Sequence, residues 1–199
     1  FARQRLLTVE EVPDPLPPRQ VRRTREEKLF NSFIETHHYL GYTQPVGEHL
    51  KYTIYAQGTH VACMAWSSAP RHIGPRDRYI GWSVEQAMRR RHLVVQNSRF
   101  LVLGKKKRRN LASRVLSVCA RRVQADWSQR FGYRPLMLES FVDLSQYDGI
   151  CYQAANWVRI GETRGRGRQD RFKRADKTVK AIYVYELEPQ FRTLMGLEA

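Results

Sequence analysis

Phe100-Leu101-Val102-Leu103-Gly104-Lys105-Lys106-Lys107-Arg108-Arg109-Asn110-Leu111-Ala112-Ser113 joins two different periodicities through one basic loop. Phe100–Leu103 is a short apolar run of the kind that fills a buried strand. Gly104 breaks it, five consecutive cations follow, and Asn110 stands where a helix would be capped. From there Leu111, Val115, Val118, Cys119, Val123 and Trp127 recur at helical spacing, so a helix is expected to run to about Arg130. A strand that feeds a helix through a short loop is half of an α/β unit. Amide groups at the start of such a helix attract phosphate, whether of DNA or of a coenzyme.

On the N-terminal side, Leu50–Ala56 and His60–Ser67 are rich in β-branched and aromatic residues, and Gln57-Gly58-Thr59 between them marks a hairpin. Thr24–His38 reads as a helix with Glu26 and Glu27 in its first turn and Leu29, Phe30, Phe33 and Ile34 on one face. Tyr79–Trp82 is expected to be a short extended piece, and Ser83 to open a helix that ends near Arg89, Arg90 and Arg91. On the C-terminal side follow a strand at Leu136–Val142, a short helix at Cys151–Trp157, a glycine- and arginine-rich stretch at Thr163–Lys177 and a strand at Lys180–Leu187. The order predicts an α/β fold: a single mixed-sheet domain over 25–199, preceded by an N-terminal arm over 1–24. That arm carries four prolines between Pro13 and Pro18 and a run of arginines.

Composition narrows the partner. The 199 residues carry 35 Lys and Arg against 19 Asp and Glu, a formal charge of +16. Between Arg71 and Arg134 there are 17 cations and three acids, a surplus of 14. A second cluster, running from Arg159 to Lys180 and including Arg164, Arg166 and Arg168, is interleaved with Trp157 and Phe172. This density points to nucleic acid, DNA before RNA, with Arg89, Arg90, Arg91, Lys105, Lys106, Lys107, Arg108, Arg109, Arg164, Arg166 and Arg168 as contacts. Trp82 and Trp157 are candidates for stacking on a base. No apolar run reaches the roughly 18 residues of a membrane span, and no signal peptide is seen at Phe1–Gln20, although a chain that starts without Met leaves room for a missing leader. Three widely spaced cysteines without a CxxC pair exclude a zinc knuckle and suit a reduced cytoplasmic compartment.

Candidate chemistry is sparse. Glu139 and Asp143 lie four apart in an expected strand and so share a face. With Asp77 they would suit a metal-dependent nuclease, but pairing with the abundant arginines is the better account of them. His37 and His38 point different ways and do not chelate, but His38 is a candidate for an active-site role.

Several strings, read in order, resemble one family. They are His38-Tyr39-Leu40-Gly41, Ala65-Trp66-Ser67-Ser68-Ala69, Arg76-Asp77, Ile80-Gly81-Trp82, Asn97-Ser98-Arg99-Phe100-Leu101, Asn110-Leu111-Ala112-Ser113, Asp126-Trp127, Glu139-Ser140-Phe141-Val142-Asp143, Cys151-Tyr152-Gln153-Ala154-Ala155-Asn156-Trp157 and Gly161-Glu162-Thr163-Arg164-Gly165-Arg166-Gly167-Arg168. Together they resemble the DruA family, named for a component of the bacterial Druantia anti-phage system, with relatives in mobile elements. The match spans roughly residues 28–192. It implies a DNA-binding role in defence or in a mobile element, with a helicase-like or transposase partner. The element order is also similar to the GNAT acyltransferase fold, in which the loop after a central strand holds coenzyme A pyrophosphate. That likeness implies Asn110, Ala112 and Ser113 at a site for an acyl-CoA-like donor. In the pattern Gln/Arg-x-x-Gly-x-Gly/Ala, however, this chain has Ala112 and Arg114 at the small positions. A Mom-like enzyme of this fold, modifying a DNA base, would use Tyr39 or Tyr152 with Asp77, Glu139 or Asp143 for proton transfer, and His38 to orient the substrate.

Overall fold

In the computed structural model, which describes residues 16–104, 109–165 and 178–197, the sheet begins earlier than the sequence suggests. Strand β1 (Pro18–Gln20) pairs with β2 (His49–Ala56), and β2 pairs with β3 (Thr59–Ser68) across the expected hairpin. Leu16 and Val21, both 0% exposed, anchor this N-terminal piece. The arm expected over 1–24 therefore enters the sheet at Pro18, because a proline can sit in an edge strand whose N–H side needs no partner. Helix α1 (Glu27–His37) buries Phe30 and Ile34. Thr24 does not cap it; its hydroxyl donates to the Val21 carbonyl at 2.8 Å.

Tyr79–Trp82 is corrected from an extended piece to a helix end. Helix α2 (Gly74–Ile80) takes Pro75 in its first turn and stops at Gly81, whose φ of 86° suits glycine. Helix α3 (Val84–Arg90) opens with a capping box in which Ser83 and Gln86 satisfy each other's backbone N–H. Strand β4 spans Val94–Val102, six residues longer on its N-terminal side than the run that revealed it. Helix α4 (Leu111–Phe131) follows, then β5 (Met137–Asp143), α5 (Ile150–Ala154), β6 (Val158–Glu162), β7 (Lys180–Glu186) and α6 (Phe191–Leu194). The period of strand β6 is not legible in the sequence, because Gly161 and exposed Val158 and Arg159 hide it; only the likeness of Ile160-Gly161 to the terminal strand of the GNAT fold points to it.

The seven described strands form one mixed sheet in the order β1-β2-β3-β4-β5-β7-β6. Every neighbouring pair is antiparallel except β4 and β5. One face carries α4 and α5, where Trp66, Val115, Cys119, Val123, Trp127, Leu138, Tyr152 and Trp157 pack into the largest core. The other face carries α1 over Cys63 and Ala65, and farther along Ile80, Trp82, Phe191 and Met195 over Met137 and Val184. Among the described residues no helix is long and apolar enough to cross a membrane.

Candidate functional site

The parallel pair at the middle of the sheet comes apart. β4 and β5 pair only from Val94↔Met137 to Asn97↔Ser140. Beyond that point, among the described residues, Ser98–Val102 continues against β3 alone and Phe141–Asp143 against β7 alone. A bulge starts the separation: Trp66 faces Asn97 and Ala65 faces Arg99, so Ser98 is the extra residue. The backbone edges of β4 and β5 that face each other beyond this point form an open wedge.

Three side chains close its apex. Ser140 Oγ donates to Tyr152 Oη at 2.9 Å, and Tyr152 donates to Asn97 Oδ1 at 3.0 Å. Asn97 Nδ2 in turn donates to the carbonyls of Ala65 and Arg99, both at 3.1 Å, spanning the bulge. Burial pushes the Tyr152 phenol above its ordinary value, so it is a proton donor at neutral pH. Its ring stacks on Tyr183 at 5.3 Å and meets the edges of Trp157 and Phe100.

The wedge opens toward a group from three elements. His38 follows α1, its ring 4.9 Å from that of Tyr39. Burial, helped by Arg99 and Lys180, pulls the His38 imidazole down to about 4, so the ring is neutral. Tyr39 lies 5.6 Å from Tyr147, and Lys180 Nζ stands 5.8 Å from the Tyr39 ring centre. Burial and the Asp143 charge raise the Tyr39 phenol. Asp143 accepts from the Ser145 hydroxyl at 2.6 Å and the Thr178 hydroxyl at 2.8 Å, bonds that hold its carboxyl below the usual range. His38, Tyr39, Asp143 and Tyr152 are thus gathered at one end of the sheet.

Asp77 and Glu139 belong elsewhere. Arg76, 0% exposed, donates to Asp77 at 2.9 and 3.0 Å and to Glu139 at 3.3 and 3.4 Å, tying α2 to β5. Burial raises the Glu139 carboxyl to about 7 against the pull of Arg76. Trp82 donates its indole N–H to Asp77 at 2.9 Å. The carboxylate pair expected from the spacing of Glu139 and Asp143 is therefore divided between two sets of partners. Among the described residues no group of three or more His, Cys, Asp or Glu is placed to hold a metal. Trp82 and Trp157 are 7% and 3% exposed, so neither presents a face to a base. The stacking role expected of both is corrected: each ring is core. All three thiols are unpaired, and burial pushes Cys63 up to about 12 and Cys151 up to about 11.

The basic residues divide between the two ends of β4. Arg89, Arg90 and Arg91 end α3 and precede the N-terminus of β4, with Arg89 bound to Glu85 at 2.7 Å. Arg109 is exposed just before α4, and Arg164 is exposed two residues beyond β6, both at the wedge end. The nine residues of β4 separate the two groups by about 30 Å. Lys105, Lys106, Lys107, Arg108, Arg166 and Arg168 lie outside the described residues. Asn110 sits at the α4 cap position with φ of 59° but makes no side-chain cap; instead Ser113 Oγ donates to the Asn110 carbonyl at 3.0 Å, with Ala112 half-buried between them.

Sequence reasoning missed Arg99, Lys51, Asn97 and Ser140. Lys51, fully buried, is held by Glu27 at 2.7 Å, Asn31 at 2.8 Å and Tyr42 at 2.9 Å. Arg99 was legible as a lone cation inside an otherwise apolar strand end.

The family model described as Druantia protein DruA matches residues 7–194. No curated protein matches the chain. Among solved structures, AAC(6')-Ib in complex with paromomycin and acetyl-CoA is similar at TM-score 0.54 and 12% identity, over 87% of this chain and 94% of that one. An apo agmatine N-acetyltransferase mutant is similar at 0.52 and 14%, over 87% and 100%. A further AAC(6')-Ib structure, with ribostamycin and coenzyme A, aligns at 0.44 and 12%, over 70% of this chain and 64% of that chain, under two thirds of its length. The likeness is one of fold: the GNAT arrangement expected from element order is the arrangement observed.

Proposed function

The chain belongs to the DruA family, and from that premise we propose that it is a nucleic-acid-binding component of an anti-phage defence system or mobile element. DNA is gripped at the wedge end of the sheet. One observation carries this reading. Gly104 and Arg109, which flank Lys105–Arg108, and Gly165 and Thr178, which flank residues 166–177, all stand at the end where β4 and β5 separate. Two basic stretches of the sequence are thereby tethered to one end of the fold, beside exposed Arg109 and Arg164. A helicase-like or transposase partner would then act on the bound DNA.

Each neutralised phosphate releases counterions, so affinity for a 30-bp duplex should fall steeply between about 50 and 200 mM salt. Arg109→Glu with Arg164→Glu should weaken binding at least tenfold and flatten the log–log salt slope by about 1.8, near 0.9 per contact. Fluorescence anisotropy measures both. Affinity indifferent to salt, or to the double reversal, would refute the reading.

A second reading, a Mom-like base-modifying enzyme, is favoured by the wedge itself. Among the described residues the β4 edge from Ser98 to Val102 has no strand partner on the β5 side, and the first N–H groups of the 21-residue helix α4 lack intrahelical acceptors. Those groups, with Arg109 and Ser113, fit the arm and phosphates of an acyl-CoA-like donor. Bound there, such a donor would supply an activated acyl group. Tyr152 would hold a proton at the wedge apex, and neutral His38 would orient the acceptor. An altered nucleoside, seen by mass spectrometry in DNA from cells expressing the protein, would establish this reading; unaltered nucleosides alongside intact DNA binding would leave the first.

A further inference from the structure

A cavity of about 310 Å³ opens between α1, the chain at residues 42–46 and the face of β2, β3 and β4 opposite α4. Its floor is apolar, from Phe30, Ile34 and Ala65, and its walls carry Ser67, Gln96 and Ser98. Two cations reach it, and they differ in kind. Lys51 spends its three donors on Glu27, Asn31 and Tyr42. Arg99 gives Nε to the Gly41 carbonyl at 3.1 Å and Nη1 to the Ser98 carbonyl at 2.8 Å, and among the described residues no carboxylate pairs with it. A guanidinium has five N–H donors, so three remain for a ligand. Those two carbonyl bonds fix the plane of the group, which prepares the remaining donors for a planar or tetrahedral anion. Burial lowers the affinity of Arg99 for its proton, and an anion beside it would restore it.

The remaining walls describe the rest of the ligand. Gln96 and the two serines offer donors and acceptors to a polar edge, and the floor offers an apolar surface to a flat body. The volume equals that of about ten waters at ~30 Å³ each and lies at the small end of ligand sites. We propose that this cavity binds a heterocycle carrying one anionic group, of nucleoside monophosphate size, with Arg99 on the anion and Gln96, Ser67 and Ser98 on the polar edge. The site is independent of the DNA-binding reading, since Arg109 and Arg164 take no part in it.

The test is calorimetric titration of the full chain at about 200 mM salt, where loose phosphate attraction is screened. The probes are the nucleoside monophosphates AMP, CMP, GMP and TMP, the corresponding nucleosides, and inorganic phosphate. At least one monophosphate should bind at least tenfold more tightly than its nucleoside and than phosphate alone. Arg99→Leu should weaken it at least tenfold, and Ser67→Phe, which places a ring in the cavity while leaving the cation in the sequence, should abolish it. Both variants should keep the wild-type melting temperature within a few degrees and the affinity for a 30-bp duplex. A 12-nucleotide single strand that displaces the monophosphate would identify the ligand as a nucleotide within a strand; failure to displace would identify it as a free one. No binding by any monophosphate, or binding that survives both variants, would overturn the proposal. Loss of duplex binding in wild type, with monophosphate binding retained, would instead count against the DNA reading alone.

Discussion

His38 shows how much of this site is set by burial. An imidazole in water gains its proton near 6.5, whereas here desolvation and two neighbouring cations bring it to about 4. The unfolded chain therefore binds this proton first as pH falls. The contribution of neutral His38 to stability is complete above about pH 6.5 and is lost progressively toward pH 4. Glu139 runs the other way: its carboxyl, raised from 4.5 to about 7, loses stability as pH climbs through that window. Comparison with a variant separates the two. His38→Gln should lose less urea stability between pH 7 and pH 5 than the wild type does. Equal losses in both proteins would show that His38 is not held neutral by the fold.

At the scale of elements, the wedge depends on a polar clamp set within the core. Tyr152 on α5 links Ser140 on β5 to Asn97 on β4 where the strands part. Removing its hydroxyl leaves the Asn97 oxygen with only a 3.4 Å approach from Ser140. Tyr152→Phe should cost about 1–3 kcal/mol in denaturant unfolding. Tyr39→Phe, on a ring 37% exposed, should stay within about 0.5 kcal/mol. A neutral Tyr152→Phe would mean that the clamp does not hold the strands. Strong periods made α1, the hairpin, α4 and β7 legible from sequence, and the strand–basic loop–helix order made the fold class legible. Short elements were not: α2 has little apolar period, and β6 is an edge strand with a glycine. The clamp was hidden for a different reason. Asn97 and Ser140 belong to strands distant in sequence, and only the register of β4 against β5 makes them neighbours. The same register separates Glu139 from Asp143, whose spacing had suggested a pair.

Across the whole molecule, charge is distributed by topology rather than by sequence proximity. Arg89–Arg91 lie nearer in sequence to Lys105–Arg109 than Arg164 does, yet β4 carries the chain to the opposite end of the sheet between them. Arg164 joins Arg109 because β6 runs in the same direction as β4 and β5. The two groups are about 30 Å apart, close to nine base pairs at ~3.4 Å each. A duplex shorter than that can be held at the wedge end alone, whereas a longer one can also meet Arg89, Arg90 and Arg91. Arg89→Ala with Arg90→Ala should therefore leave affinity for an 8-bp duplex unchanged. On a 24-bp duplex the same change should weaken binding several-fold and reduce the salt slope by about 0.9 for each phosphate no longer neutralised. An equal effect at both lengths would place these arginines in the wedge-end footprint, against the geometry. No effect at 24 bp would confine DNA to the wedge end and leave α3 to another partner.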